Sequence, residues 1–192
     1  MDFVIFYNMS YHSGNNLIDS ATLLDKSQVH EGMHVVDSGC GRTGHIVFPA
    51  AKTVGEKGVV YAVDILKDVL ESIRRRATIE AIHNVETIWG DIGQKNGVAI
   101  APKTVDIVFY INVLFHFSDY AGVLDEGGRL LKDKGRIVVA DWQNNLPGIG
   151  PKIENMVNFD KIVAWARKHN FFVQEDIAIG NYHRGLFLYK NF

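Results

Sequence analysis

The chain has 192 residues, of which 47% are hydrophobic and 22% charged, and its net charge at neutral pH is -2. These values are typical of a globular protein, and they exclude a disordered or collagen-like chain. Without a strongly basic region, nucleic acid is not the expected partner. At this length we expect a single domain, with residues 1–30 as an N-terminal helix or lid and residues 31–192 as the core.

Seven segments have the apolar pattern of a buried strand. The first five alternate with helical segments, which indicates a parallel sheet, whereas the last two are joined by Gly180-Asn181 and are typical of a hairpin. We therefore expect an α/β fold: a Rossmann-like, mostly parallel seven-stranded sheet flanked by helices, with an antiparallel C-terminal hairpin. The predicted strands cover residues 33–37, 59–63, 85–89, 105–110, 136–140, 171–179 and 182–189.

The segments between these strands repeat apolar residues at helical spacing. The pattern over residues 17–24 predicts a short helix that packs across the sheet edge. Another helix is predicted over residues 118–134, although Gly127 and Gly128 weaken it, because each costs about 1 kcal/mol relative to alanine. The remaining predicted helices run through Ala50 and Val54 to Gly55, from Leu66 to Ala77, and from an Asn158 cap through Ala166.

Short polar or glycine-rich groups follow several of the predicted parallel strands. In an open parallel sheet the carboxyl ends of the strands meet at one edge, and ligands bind there. Glycines at 39, 41 and 44 would let the backbone approach a ligand, and Asp64 is placed to accept hydrogen bonds from the hydroxyls of a ribose. The groups are residues 37–44, Asp64, Asp91, Asn112 and Asp141.

The glycine turn is compatible with two kinds of nucleotide site. Its spacing, Gly39-x-Gly41-x-x-Gly44, matches the dinucleotide fingerprint of NAD(P)-dependent oxidoreductases, but that match alone is weakly specific. Asp37 and Ser38 lie where the strand approaches the turn, and an acid there would repel a pyrophosphate. It suits instead a ligand with an ammonium group, such as the methionine part of S-adenosylmethionine.

A series of short motifs between residues 30 and 142 repeats the pattern of one known family. The motifs are residues 32–41, residues 54–64, Asn84-Val85-Glu86, Gly90-Asp91, Val105-Asp106, Asn112-Val113-Leu114, Leu130-Leu131-Lys132 and Gly135-Arg136. Together they resemble the class I S-adenosylmethionine-dependent methyltransferases, and in particular the group that includes the ubiquinone and menaquinone biosynthesis enzymes. The set is much more specific than any one of its members.

The resemblance implies S-adenosylmethionine as cofactor and a role for each strand end. The turn from Asp37 to Gly44 would hold the methionine portion, Asp64 the ribose, Asp91 the adenine amino group, and Asn112 the region near the sulfonium. One departure is that Arg42-Thr43-Gly44 adds a residue to the usual glycine spacing. The implied cofactor-binding residues are Asp37, Ser38, Gly39, Cys40, Gly41, Thr43, Gly44, Asp64, Ile65, Asp91, Ile92, Asn112 and Val113.

Methyl transfer from a sulfonium depends on alignment and desolvation more than on a strong base. Where the acceptor needs a base, the candidate catalytic residues are His116 and Asp141, with Tyr11 or His12 in a possible N-terminal lid. The expected partner is a small or medium-sized acceptor that the sequence does not identify, and an oligomer is possible. A non-catalytic S-adenosylmethionine-binding subunit is the alternative from another class.

Other features favour a cytoplasmic protein without a metal site. Residues 3–7 are apolar, but they lack a preceding basic region and Asn8 interrupts them, so they do not resemble a signal peptide. No segment approaches the roughly 18 apolar residues of a membrane span. The single cysteine, Cys40, cannot form an internal disulfide, which fits a reducing compartment. His30 and His34 do not share a helical face, so we expect no zinc site.

Overall fold

The computed structural model describes residues 17–191, which form a seven-stranded sheet with helices on both faces. The strands are β1 (His34–Ser38), β2 (Val59–Asp64), β3 (Val85–Trp89), β4 (Val105–Ile111), β5 (Leu131–Trp142), β6 (Phe171–Ile179) and β7 (His183–Lys190). The helices are α1 (Ser20–Lys26), α2 (Val47–Val54), α3 (Lys67–Ile79), α4 (Ala121–Leu130) and α5 (Phe159–Lys168), with 3-10 turns at Leu114–His116 and Ile153–Asn155.

The strand order is β3-β2-β1-β4-β5-β7-β6. Strands β1 to β5 pair in parallel, whereas β7 lies antiparallel to both β5 and β6. This confirms the predicted mostly parallel sheet and its antiparallel C-terminal hairpin. Because β1 lies between β2 and β4, the order of the strands reverses there, and the carboxyl ends of β1 and β4 border the crevice in which such sheets bind ligands.

Each face of the sheet carries its own apolar layer. Val35 and Val138 point to the layer that contains α1, α2 and α3, whereas Val36 and Ile137 point to the layer that contains α4 and α5. A strand with both faces buried is apolar along its whole length. That is why these strands were predictable as continuous apolar runs.

Helix α1 begins where the carboxylate of Asp19 accepts hydrogen bonds from the backbone N–H groups of Ala21 and Thr22, at 3.2 and 3.1 Å. It packs Leu23 and Leu24 into the same layer as α2 and α3. The helix was predicted to pack across the sheet edge, but it covers a face of the sheet instead. No helix within residues 17–191 is long and apolar enough to cross a bilayer.

The prediction of a helix over residues 118–134 was wrong at its C-terminal end. Helix α4 stops at Leu130, and Leu131 already has the extended backbone of β5. Lys132 then donates to both carboxylate oxygens of Asp106 at 2.9 Å, and the pairing of β4 with β5 shifts register across a bulge. This pairing between distant segments outweighs the weak helix propensity of a glycine-containing sequence.

Candidate functional site

Strand β1 ends in two buried polar residues whose side chains hydrogen-bond to different parts of the molecule. The hydroxyl of Ser38 hydrogen-bonds to Tyr110, so its side chain belongs to the core rather than to the crevice. Asp37 accepts a hydrogen bond from the backbone N–H of Val47 at the start of α2. Burial, together with the neighbouring carboxylate of Asp64, raises the pKa of Asp37 to about 7. The site therefore contains an acid that is close to half-ionised at neutral pH.

The glycine turn brings the end of β1 against the loop that follows β4. Gly39 has φ of 81° and donates its N–H to the carbonyl of Val63 in β2 at 2.8 Å. A Cβ atom on Gly39 would lie 2.6 Å from Cγ2 of Val113. A Cβ atom on Gly44 would come equally close to the ring of Phe48. These two glycines are therefore required by packing, which keeps the turn close to the sheet.

Cys40 and Thr43 complete the turn. Cys40 is buried and its N–H donates to Val63 at 3.1 Å, while burial raises the pKa of its thiol well above the ordinary value. The carbonyl oxygen of Thr43 accepts a hydrogen bond from Nη1 of Arg76 in α3 at 2.7 Å. The additional residue in the glycine spacing is thus accommodated in a turn that is hydrogen-bonded to β2 and to α3.

Gly41 and Asp64 meet at the mouth of the crevice. Oδ2 of Asp64 accepts a hydrogen bond from the N–H of Gly41 at 3.2 Å, and Oδ1 accepts one from the N–H of Leu66 at 3.0 Å. No atom lies within 4 Å of the position that a Cβ atom on Gly41 would occupy. Because each carboxylate oxygen can accept a second hydrogen bond, Asp64 keeps its capacity for a ligand.

The end of β3 carries a turn built on Asp91. Its Oδ1 accepts a hydrogen bond from the N–H of Gly93 at 2.9 Å, and Ile92 between them is buried in the core. This is an Asx turn, in which the side chain imitates a backbone carbonyl. The second carboxylate oxygen of Asp91 has no hydrogen bond within the described residues, so it is available to a donor.

An exposed apolar surface adjoins Asp64. Sequence analysis predicted its residue Ile65 but not its residue Trp89. Trp89 is the last residue of β3, lies opposite Asp64 in the register, and donates its Nε1–H to the carbonyl of Ile65 at 2.9 Å. The side chains of Ile65, Leu66 and Trp89 are each more than half exposed. Only the register between β2 and β3 reveals that Trp89 belongs here.

Asn112 and Val113 follow β4 on the opposite side of the crevice. Asn112 has φ of 53°, and its N–H donates to the carbonyl of Ala140 at 2.9 Å. The side-chain oxygen of Asn112 is buried and has no hydrogen-bond partner among residues 17–191. A buried acceptor without a donor is uncommon in folded proteins, which supports the prediction that Asn112 contacts a ligand.

Asp141 at the end of β5 is fully buried and holds the loop after β4. Its Oδ2 accepts hydrogen bonds from the N–H groups of Val113 at 3.1 Å and Leu114 at 2.9 Å, and its Oδ1 accepts one from the N–H of Trp142 at 2.8 Å. Burial raises the pKa of Asp141 to about 7. These contacts are those of a positioning residue.

His116 lies at the end of the 3-10 turn that Asp141 helps to hold. Its ring packs on that of Phe115, with 3.9 Å between the centroids, and partial burial lowers its pKa. Within the described part of the chain, no hydrogen bond or ion pair joins His116 to Asp141. Tyr11 and His12 lie outside the described residues. The catalytic roles suggested for these residues remain predictions.

Comparison with known proteins identifies a family. Residues 29–183 match the family model described as a methyltransferase domain. Aklanonic acid methyltransferase DauC from Streptomyces sp. (strain C5) is 32% identical over 112 residues, which are 56% of this chain and 50% of that protein. Demethylmenaquinone methyltransferase from Listeria monocytogenes serotype 4a is 30% identical over 122 residues, covering 63% of this chain and 50% of that protein. The chain thus spans about half the length of these relatives.

Solved structures agree with this match. A SAM-dependent methyltransferase from Aquifex aeolicus superposes with a TM-score of 0.80 at 24% sequence identity, and the alignment covers 90% of each chain. At this identity the likeness establishes the fold. The family match covers most of the chain and includes all the strand ends that form the crevice, and this protein therefore belongs to the methyltransferase domain family.

Proposed function

We propose that the protein transfers a methyl group from S-adenosylmethionine to a small or medium-sized acceptor. The observation that carries this proposal is the pair of carboxylates at the glycine turn, where Asp64 is near enough to raise the pKa of Asp37. Two acids in this position oppose a pyrophosphate and favour a ligand that carries an ammonium or sulfonium group. Membership of the family and the names of the two curated relatives support the same reaction.

The residues around the crevice fit this cofactor. Asp64 would bind the ribose hydroxyls, because both of its oxygens retain acceptor capacity. Ile65 and Trp89 offer exposed apolar surface to the adenine. The unpartnered oxygen of Asn112 would accept a hydrogen bond from the cofactor or contact its cationic region. When bound, S-adenosylmethionine supplies an electrophilic methyl group attached to a positively charged sulfur.

The chain would contribute alignment and exclusion of water rather than a strong base. Asp141 fixes the backbone of Val113 and Leu114, and the close contact between Val113 and Gly39 fixes that loop against the glycine turn. A rigid frame of this kind holds two reactants in line for a displacement. Exclusion of water from the crevice favours the transfer as well, since the positive charge of the sulfonium disappears during the reaction.

We also propose that the protein is cytoplasmic. Cys40 is the single cysteine of the chain. It is buried, and burial raises the pKa of its thiol, so it is poorly suited to forming a disulfide. A protein that needs no disulfide is suited to a reducing compartment.

Calorimetric titration with S-adenosylhomocysteine and with NAD tests the cofactor. We expect S-adenosylhomocysteine to bind in a single site and NAD to bind weakly or not at all. Tighter binding of NAD would favour an oxidoreductase that uses the same turn. Incubation with S-adenosylmethionine and a panel of hydroxylated, carboxylated and amino acceptors, with formation of S-adenosylhomocysteine as the readout, then tests transfer. Binding of S-adenosylmethionine without formation of S-adenosylhomocysteine with any acceptor would favour a non-catalytic subunit.

Asp64→Ala tests the placement of the cofactor. We expect it to weaken binding of S-adenosylhomocysteine by about 1 to 3 kcal/mol, because a charged hydrogen-bond acceptor is lost. Glu56→Gln is the matched control, since Glu56 is an exposed acid in the turn before β2, at the other end of that strand. Its affinity should equal that of the wild type. Unchanged affinity in Asp64→Ala would remove Asp64 from the site.

A further inference from the structure

Glu126 in α4 is a buried carboxylate that the proposed mechanism does not use. Only 3% of its surface is exposed, and its partner is Arg129, one turn further along the helix. Nε of Arg129 donates to Oε2 of Glu126 at 2.9 Å, and Nη2 donates to Oε1 at 2.6 Å, so the two side chains form a bidentate ion pair. Apolar side chains of similar volume often stabilise a fold as well as a buried ion pair does, which points to another role for this pair.

The ion pair holds a segment that lies outside α4. The connection between β3 and β4 lies wholly within the described residues and contains no helix. Oε2 of Glu126 accepts a hydrogen bond from the N–H of Asn96 at 3.0 Å, and Oε1 accepts one from the N–H of Val98 at 3.2 Å. Arg129 donates in turn to the carbonyl oxygens of Val98 at 3.0 Å and Ile100 at 2.9 Å. The backbone of this connection is therefore fixed by α4.

The same segment holds the backbone of Asp91. The carbonyl oxygen of Gly97, which lies between the two N–H groups that bind the carboxylate, accepts a hydrogen bond from the N–H of Asp91 at 3.2 Å. Gly90 and Val98 also form an antiparallel bridge. A Cβ atom on Gly97 would overlap the carbonyl oxygen of Asp91, so the two sides of the connection are in direct contact. A shift of the segment around Gly97 would therefore move Asp91.

The carboxylate of Glu126 is ionised at neutral pH. Burial alone would raise its pKa, but the hydrogen bonds from Arg129 and from the N–H groups of Asn96 and Val98 bring the pKa below its ordinary value. Glu126→Gln keeps the size of the side chain and replaces one acceptor oxygen by an amino group. At least one of the four donors would then lose its acceptor, and the hold on the segment would weaken.

We propose that Glu126 is a positioning residue for the adenine of the cofactor: it fixes the segment that places Asp91, and Oδ2 of Asp91 accepts a hydrogen bond from the adenine amino group. This inference rests on the proposed function, because it concerns how the same crevice recognises S-adenosylmethionine. Gly90, next to Asp91, donates its N–H to the carbonyl oxygen of Asp64 at 3.2 Å, so this turn adjoins the residue proposed for the ribose. An ionised carboxylate only accepts hydrogen bonds, so it favours an amino group over the oxo group of hypoxanthine.

The test compares two ligands that differ at position 6 of the base. By calorimetry, we expect the wild type to bind S-adenosylhomocysteine at least about tenfold more tightly than S-inosylhomocysteine. Glu126→Gln should lose about tenfold in affinity for S-adenosylhomocysteine and less than about twofold for S-inosylhomocysteine, because only adenine donates to Asp91. A wild type that binds both ligands equally, or an equal effect of Glu126→Gln on both, would overturn the proposal.

Asp106→Asn is the matched control. Asp106 lies at the amino end of β4, away from the crevice, and it also binds a backbone N–H and a cation: it accepts from the N–H of His34 at 2.8 Å and pairs with Lys132 at 2.9 Å. Its replacement removes a similar set of contacts. The ratio of the two affinities should therefore equal that of the wild type. A lower ratio in Asp106→Asn as well would mean that any loss of stability reduces the selectivity, and would overturn the proposal.

A double-mutant cycle separates positioning from a general effect on the fold. In Asp91→Ala the adenine amino group has already lost its acceptor, so adding Glu126→Gln should weaken binding of S-adenosylhomocysteine by less than about twofold further. Full additivity of the two losses would overturn the proposal. If Glu126→Gln does not fold, Arg129→Lys replaces it, because lysine keeps a cation beside Glu126 but cannot bind both of its oxygens in the same way. Arg129→Lys should lower the ratio of affinities about threefold, and an unchanged ratio would overturn the proposal.

A direct observation of the segment does not need the cofactor. In Glu126→Gln without ligand, hydrogen exchange of the Asp91 amide should become at least about tenfold faster relative to the slowest amides of β4, because Gly97 no longer holds it. Asp106→Asn should leave this ratio unchanged. An Asp91 amide that exchanges at the wild-type rate in Glu126→Gln would overturn the proposal even if methyl transfer were established. Failure of the wild type to bind S-adenosylhomocysteine would contradict the proposed function instead.

Discussion

At the scale of single residues, the buried carboxyl of Asp37 should make cofactor binding depend on pH. Its pKa is raised to about 7 by burial and by Asp64, so a large fraction of it is protonated at pH 6. A ligand that carries an ammonium group binds better to the ionised form, and such binding therefore lowers the pKa of Asp37. The affinity for the ligand must rise with pH across this range.

We expect the Kd of S-adenosylhomocysteine to fall roughly fivefold to tenfold between pH 6 and pH 7.5, as measured by calorimetry. Asp37→Asn removes the titrating group, so its Kd should change little over the same range. Glu56→Gln leaves Asp37 in place and should retain the wild-type dependence. A steep dependence that persists in Asp37→Asn would assign the titration to another group.

Asp141 titrates in the same range but affects stability through the loop that it holds. Its folded-state pKa of about 7 lies above the ordinary value of 3.8, so its carboxyl stabilises the folded state most below pH 4, and this contribution is lost as pH rises through 7. Asp141→Ala should lower the free energy of unfolding by about 2 to 4 kcal/mol at pH 5, because three backbone N–H groups, two of them fully buried, lose their acceptor.

Asp141→Asn is the matched variant, since an amide oxygen can still accept hydrogen bonds but does not titrate. Its loss of stability relative to the wild type should be smaller than that of Asp141→Ala and should shrink between pH 5 and pH 8, as measured by urea denaturation. A catalytic base would behave differently. If Asp141→Asn kept full stability at both pH values and lost methyl transfer, the positioning role would be wrong.

At the scale of elements, the two adjacent glycines of α4 have opposite environments. A Cβ atom on Gly127 would lie 2.5 Å from the hydroxyl oxygen of Tyr110, which donates to the carbonyl of Val123 at 2.7 Å. A Cβ atom on Gly128 would lie 3.9 Å from the ring of Phe171, an ordinary contact. Glycine is therefore required by packing at position 127 and costs helix stability without that benefit at position 128.

This pair makes a prediction in which each variant is the control of the other. Gly128→Ala should raise the free energy of unfolding by about 0.5 to 1 kcal/mol, through helix propensity. Gly127→Ala should lower it by about 1 to 3 kcal/mol, because the added methyl group displaces Tyr110 from its hydrogen bond. Urea denaturation measures both. Equal effects of the same sign would mean that the close contact with Tyr110 does not limit α4.

The elements show which parts of the fold are readable from local sequence. The central strands β1 and β4 were predictable because burial on both faces makes them almost continuously apolar. The boundary between α4 and β5 was not, since it depends on a bulge and on an ion pair between Lys132 and Asp106, 26 residues apart. Likewise, apolar spacing over residues 17–24 indicates a helix but not which part of the sheet it covers.

The candidate site likewise contains residues that local sequence predicted and residues that it did not. The acids that end β1 and β2 were predictable, because parallel strands place their carboxyl ends at one edge. Trp89 was missed, since its position follows from the register between β2 and β3. The hydrogen bond of Ser38 to Tyr110 is another contact between distant residues that local pattern does not reveal.

At the scale of the whole molecule, one continuous sheet connects the two sides of the crevice. The predicted cofactor-binding residues at the ends of β1, β2 and β3 lie on one side, and the predicted site residues after β4 and β5 lie on the other. Both apolar layers include residues from each side. Unfolding of either side would therefore expose the core of the other, and we expect the chain to unfold in a single cooperative transition.

Ligand binding should then stabilise the molecule as a unit. At a free concentration 100 times its Kd, S-adenosylhomocysteine should raise the free energy of unfolding by about 2.7 kcal/mol. Because unfolding is cooperative, the slowest amides of β2 and of β7 should slow their hydrogen exchange by the same factor. Strand β2 borders the crevice, whereas β7 lies beyond β5. Glu56→Gln should show the same response, and Asp64→Ala should show a smaller one at the same ligand concentration. Slower exchange confined to β1, β2 and β3 would mean that the two sides of the sheet open independently.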